Sequence, residues 1–245
     1  MVYLAYFIFG AIVGSFLNAL TLRLGTGLSI YRGRSMCFTC GHKLSSRELV
    51  PIVSYLIQKG YCLHCKAHIS LQYPLVEIMT GLGFVILASK VTSLGLLFLA
   101  LTTFSLSVAI CIYDLRHKIV PDSLAYSLLA VGLLSFVVNR NDGGWTEFVA
   151  GPIAALFFAS LWFFSDGKWM GLGDAKLALA MGFFLGARGI IEAIFMAFWS
   201  GAIVGIVLLL LCKNHITIKS EIPFAPFLLG AMFLEILMPP RMHFL

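Results

Sequence analysis

Two aspartates sit at the edges of strongly apolar runs. They are Asp114, in Cys111-Ile112-Tyr113-Asp114-Leu115-Arg116, and Asp174, in Gly171-Leu172-Gly173-Asp174-Ala175-Lys176. The chain has only five Asp in 245 residues, and an ionisable side chain in a bilayer is expensive unless it has a use. Two carboxylates at one membrane level can carry a single proton between them. One then takes a proton from water while the other polarises or protonates a carbonyl. That division of labour is the chemistry of aspartic peptide hydrolysis. Either residue alone reads as an interfacial charge beside Arg116 or Lys176; the pair, with a glycine turn, reads as a site. Gly171 and Gly173 let backbone approach a substrate or a neighbouring helix closely, and Lys176 balances charge or marks the membrane boundary.

A second set of residues suits a metal. Cys37-Phe38-Thr39-Cys40 and Cys62-Leu63-His64-Cys65 are two CxxC pairs in the only long polar stretch, residues 23–72. Each pair places two thiolates on one tight turn, and two facing turns complete a zinc-ribbon-like tetrahedron. Four cysteines close the shell, so the ion is structural. About 50 residues bury too little to fold unaided, which makes a metal a fitting staple. His42, His64 and His68 could substitute as ligands, but their place near the two turns reads as chance. Cys111 and Cys212 read as buried small hydrophobes.

The elements that must position these groups are helices in lipid. The chain is 60% hydrophobic and 11% charged with mean hydropathy +0.97, a composition that excludes a soluble globular domain. A hydrocarbon core ~30 Å thick needs about 20 apolar helical residues. Apolar runs at 2–22, 73–89, 94–113, 119–138, 148–164, 169–187, 190–212 and 222–238 predict an all-α polytopic membrane protein of about eight transmembrane helices. The first reads as a retained anchor, not a cleaved signal. The chain then divides into three domains: the first helix at 1–22, a small cytoplasmic four-cysteine domain at 23–72, and a seven-helix membrane domain at 73–245. No internal repeat is evident.

Alternating the spans puts 13 Lys+Arg on the side of the 23–72 segment and 4 on the other. The positive-inside rule then places the N-terminus outside and that segment inside. The net charge of +6 is a property of that face, not a nucleic-acid footprint. Asp114 falls at the cytoplasmic end of the third span. Asp174 falls at the start of the sixth, which must recruit residues 169–176 to reach full length. Asp122, after Pro121, reads as a helix N-cap, and Asp166 as solvated. Asp142 and Glu147 fall on the outer side. Glu77, Glu192 and Glu235 suit packing or snorkelling.

Taken in order, these motifs resemble the type IV prepilin peptidase family of Gly-x-Gly-Asp aspartic proteases. The likeness also runs through Gly14-Ser15-Phe16-Leu17-Asn18, Gly33-Arg34-Ser35, Glu48-Leu49-Val50-Pro51-Ile52-Val53-Ser54, Tyr73-Pro74-Leu75-Val76-Glu77 and Ile119-Val120-Pro121-Asp122. Phe38, Gln72 and Gly25 depart from the common pattern, and none is an aspartate or a cysteine. The resemblance implies a bifunctional enzyme of the bacterial inner membrane. It would cleave the leader of prepilins and pseudopilins on the cytoplasmic side and then methylate the new N-terminus with S-adenosylmethionine. By motif position Asp114 and Asp174 would be the catalytic dyad, and Cys37, Cys40, Cys62 and Cys65 a zinc tetrad tied to methylation. No Rossmann-type glycine turn marks a methyl-donor pocket. A proton-coupled transporter and a membrane scaffold are the rival readings, separable by peptide cleavage.

Overall fold

The computed structural model describes residues 1–26, 35–138, 145–211 and 222–238. Expectations for Gly33, Arg34, Arg140, Asp142, Cys212, Lys213, Lys219 and Arg241 lie outside those residues. The described elements are α1 (Val2–Arg23), a 3₁₀ turn (Ser46–Leu49), α2 (Val53–Ile57), α3 (Gln72–Lys90), α4 (Leu94–His117), α5 (Asp122–Val138), α6 (Trp145–Phe164), α7 (Leu172–Leu211) and α8 (Ala225–Leu237). Long apolar runs become helices because lipid offers no partner to a free backbone N–H or carbonyl.

Five of these helices, α1, α3, α4, α6 and α7, are long and apolar enough to cross a membrane; α5 and α8 are shorter apolar helices. The protein is therefore an all-helical multi-pass membrane protein. Helix α7 runs 40 residues but breaks at Gly186, where φ is 68° and ψ −175°. That is the left-handed side of the map, where only glycine sits without strain. The break falls where the sequence predicts a boundary between two spans. The Glu147 carboxylate, from the first turn of α6, accepts the Ala187 N–H at 2.9 Å and so caps the second half of α7. Glu147 thus has a structural task that the expectation of an outer-side position does not reveal.

The chain divides into two compact units, Met1–Ala109 and Ile110–Leu245, with the division inside α4. In the first unit α1 packs against α3. Their axes approach so closely that a Cβ on Gly14 would lie 2.9 Å from the Glu77 Cα. Asn18, buried on α1, donates to the Tyr73 carbonyl at 3.3 Å and accepts from Gln72 Nε2 at 3.4 Å. Such interhelical bonds satisfy polar groups that lipid cannot. Glu77 is buried, not snorkelling, and accepts the Ile52 N–H at 2.6 Å.

In the second unit α7 packs on α5, α6 and α8. At the α6–α7 crossing Gly182 meets Gly151 backbone to backbone, leaving no room for a side chain on either. Glu192 pairs with Arg188 one turn away at 3.0 Å. Cys111 is half-buried by surface exposure.

Candidate functional site

Asp114 lies in the last turn of α4 and Asp174 in the first turn of α7. Both are buried, at 5% and 7% exposure, and their carboxylates lie within electrostatic range of each other. The Asp114 carboxylate takes a hydrogen bond from the Ala225 N–H at the first residue of α8. A helix N-terminus presents unpaired N–H groups and a positive dipole end, so α8 is aimed at this acid. Its other oxygen, Oδ2, is buried with no hydrogen-bond partner among the described residues.

Asp174 is the third helical residue of α7, and its carboxylate reaches back to the Gly171 N–H. The Asp174 N–H in turn donates to the Gly171 carbonyl at 3.2 Å. This reciprocal pair follows the logic of a capping box, with Gly171 just outside the helix. The helix therefore starts at Leu172, later than the expected start at residue 169. Trp169 is exposed outside it, and α7 up to Gly186 is a short membrane segment. The two glycines differ in role. A Cβ on Gly173 would lie 2.8 Å from Val120 Cβ, whereas one on Gly171 would meet nothing nearer than 3.9 Å.

Lys176 and Asp122 form an ion pair, and the lysine also lies 5.5 Å from the Tyr126 ring centre. This corrects the N-cap reading of Asp122. It is the first helical residue of α5, and the Pro121 carbonyl instead accepts the Leu124 and Ala125 N–H groups. The acid is thus able to reach across to α7. Asp166 is exposed, as expected.

The first unit holds the cysteines. The ligand atoms of Cys37, Cys40, Cys62 and Cys65 all lie within 4.8 Å of one another. The Cys37 and Cys65 sulfurs are 3.8 Å apart. A thiolate tetrahedron with metal–sulfur bonds of ~2.3 Å has an edge of about 3.8 Å, so the four sulfurs fit one ion. The two turns are built alike. Cys37 N–H bonds the His42 carbonyl at 2.9 Å and Cys62 N–H the Ala67 carbonyl at 2.9 Å. A single bridge flanks each turn, Met36 with Lys43 and Tyr61 with His68. The sequence shows no repeat here because only the cysteine spacing is shared. Backbone N–H groups of Cys40 and Thr39 hold the Cys37 thiol down at about 6, whereas the Cys65 thiol, despite the Ala67 N–H, is pushed up to about 11 by burial and the neighbouring cysteine sulfurs, so the four thiols do not ionise alike without a cation among them.

The histidines lie outside this cluster. His42 and His64 stack with ring centres 4.0 Å apart, and His68 meets the edge of Tyr61. Glu48 accepts the Ser45 N–H at 2.8 Å, which holds its carboxyl below the usual range.

Buried paired carboxylates at helix ends, in a multi-pass protein carrying a four-cysteine module, define a class of membrane enzyme. Residues 99–206 match the Type IV leader peptidase family, and residues 8–91 match the Bacterial Peptidase A24 N-terminal domain. Both aspartates fall in the first of these matches and all four cysteines in the second. The prepilin leader peptidase/N-methyltransferase of Bacillus subtilis (strain 168) is 30% identical over 90% of this chain and 88% of its own length. That of Myxococcus xanthus (strain DK1622) is 34% identical over 83% of this chain and 62% of its own length. That of Aeromonas salmonicida (strain A449) is 35% identical over 94% and 89%. No solved structure matches the chain. The chain belongs to the type IV leader peptidase family and is a peptidase, which sets aside the transporter and scaffold readings.

Proposed function

We propose that this enzyme cleaves the leader from prepilin-like substrates with Asp114 and Asp174 as an aspartic dyad, and then methylates the exposed amine. The observation that carries the reading is the burial of two acids at helix ends within electrostatic range of each other. A water held between them loses a proton to one carboxylate as its oxygen attacks the scissile carbonyl carbon. The other, protonated, carboxyl gives its proton to the carbonyl oxygen. Collapse of the diol then passes a proton to the departing amine and breaks the C–N bond. The Ala225 and Gly171 N–H groups orient the two acids. Asp114 Oδ2 is the oxygen left to face the water.

The relatives' shared name pairs peptidase with N-methyltransferase, and the same pairing is proposed here with S-adenosylmethionine as the methyl donor. The four cysteines would hold a structural zinc ion, whose closed sulfur shell fixes the two turns and leaves no position for substrate. The basic residues favour a bacterial inner-membrane protein with its N-terminus outside and both sites toward the cytoplasm. The organisation proposed is an anchor at 1–22, a four-cysteine domain at 23–72 and a membrane peptidase domain at 73–245. Gly171, Gly173 and Lys176 line the dyad's approach. The test is mass spectrometry of a prepilin-like peptide incubated with the purified enzyme and methyl donor. A single cut at the leader junction, with the added mass of a methyl group on the mature end, supports the reading. An intact peptide overturns it.

A further inference from the structure

The hydrogen bond from the Ile52 N–H to Glu77 fixes a depth. Helix α3 has 19 residues, so it is about 28 Å long and barely matches a hydrocarbon core of ~30 Å. It has no turn to spare outside the membrane. Glu77 is its sixth residue, which places its Cα about 7 Å inside the leaflet. Helix α1 also puts this contact below the membrane surface, counted from a basic residue that reaches further out. Gly14, against which Glu77 packs, is nine residues before Arg23, or about 13 Å inward from that basic end. Side chains on a helix lean toward its N-terminus, so the carboxylate reaches back toward the cysteine module. Ile52, bonded to it at 2.6 Å, is still drawn below the headgroup level.

Ile52 leads directly into α2, whose Val53, Leu56 and Ile57 are 50%, 67% and 73% exposed. No protein covers these side chains among the described residues. Basic residues flank the segment: residues 35–71 carry Lys43, Arg47, Lys59 and Lys66 against the single acid Glu48. Such a balance complements anionic lipid headgroups.

We propose that α2 is a membrane-inserted foot of the cysteine module. Its apolar face lies among acyl chains just beneath the headgroups, with Lys59 at anionic lipid. The occupant of this surface is the leaflet itself. The module is thereby held against the membrane at a fixed height, independently of what the active site does.

The test places a benzophenone amino acid at Leu56, and separately at Ile57, in the full-length protein in nanodiscs. One set contains phosphatidylglycerol and one only phosphatidylcholine. Irradiation and mass spectrometry then read what each probe captured, with metal content confirming an intact module. The expected result is acyl-chain adducts at both positions. Their yield should be at least about two-fold higher in the anionic discs. Absence of lipid adducts would overturn the proposal, as would capture of protein alone. Capture of an added prepilin-like peptide in place of lipid would overturn it too, by reassigning the face to substrate.

Discussion

Gly173 stands so close to Val120 that a Cβ on the glycine would fall 2.8 Å from the valine Cβ. The contact seats the first turn of α7, and with it Asp174, against the turn that leads into α5. Gly173→Ala forces that turn away, an overpacking that typically costs about 1–3 kcal/mol. Displacing a reacting group by ~1 Å can lower a rate ~100-fold. Leader cleavage by Gly173→Ala is expected to fall by a comparable factor while the protein still inserts. Adding Val120→Ala should restore part of it. Gly171→Ala, with open space around it, should retain most activity. Equal losses at the two glycines would show that the Val120 contact is not what matters.

The dyad predicts that Asp114→Asn and Asp174→Asn each lower cleavage by about 10²–10⁴-fold or more. The amide keeps the shape and much of the hydrogen bonding to Ala225 or Gly171, so insertion and metal content should match the parent. Turnover of a prepilin-like peptide by either variant at near-parent rates would remove that residue from the mechanism.

The residues proposed to carry the chemistry are legible in the sequence, and the contacts that position them are not. Asp114 and Asp174 stood out because a charge within an apolar run needs a reason. The cysteines stood out because spacing alone sets a tetrahedron. The Asp122–Lys176 pair spans 54 residues and depends on where α5 and α7 begin, so the local Pro-Asp pattern suggested a cap instead. For Glu147 the charge pattern predicts only an outer-side position and no task. Its task depends on meeting Gly186, far along the chain, at a break visible only as a gap between spans. Glu77 carried no local sign that it would bond Ile52.

Lys176 and Asp122 join the starts of α7 and α5, and the pair is partly exposed, with side-chain exposures of 25% and 65%. Exposed ion pairs contribute only ~0–1 kcal/mol to stability. Asp122→Asn and Lys176→Gln should therefore leave thermal stability almost unchanged. Their effect belongs on cleavage, through the setting of Asp174 two residues away, with a loss of a few-fold to about ten-fold. A double-mutant cycle on kcat/KM should show coupling between the two positions. Strictly additive losses would mean the pair does not act as a unit.

Gly186→Ala is expected to be the most destabilising of these changes. It places a side chain at φ 68° and drives its Cβ into the Glu147 carboxylate. Backbone strain of this kind costs about 1–3 kcal/mol, before the overlap is counted. Glu147→Ala removes the cap on Ala187 and should cost about 1 kcal/mol. Thermal unfolding in detergent should rank Gly186→Ala below Glu147→Ala and both below the parent. A parental midpoint for Gly186→Ala would show that α7 is not broken there.

All four cysteines lie in Met1–Ala109, and both aspartates in Ile110–Leu245. Each unit has its own packing, so losing the metal should disorganise the cysteine turns without unseating the dyad. Parent protein is expected to hold about one zinc per chain, and Cys62→Ser, at the most buried ligand, to hold almost none. A strong chelator should act likewise, because an ion that supplies much of a small module's folding energy takes that fold with it when removed. In both cases cleavage should persist within a few-fold of the parent while methylation of the product falls to background. Metal content by elemental analysis and the two product masses read all of this in one preparation. Parallel loss of cutting and methylation would mean that the peptidase site depends on the cysteine module after all.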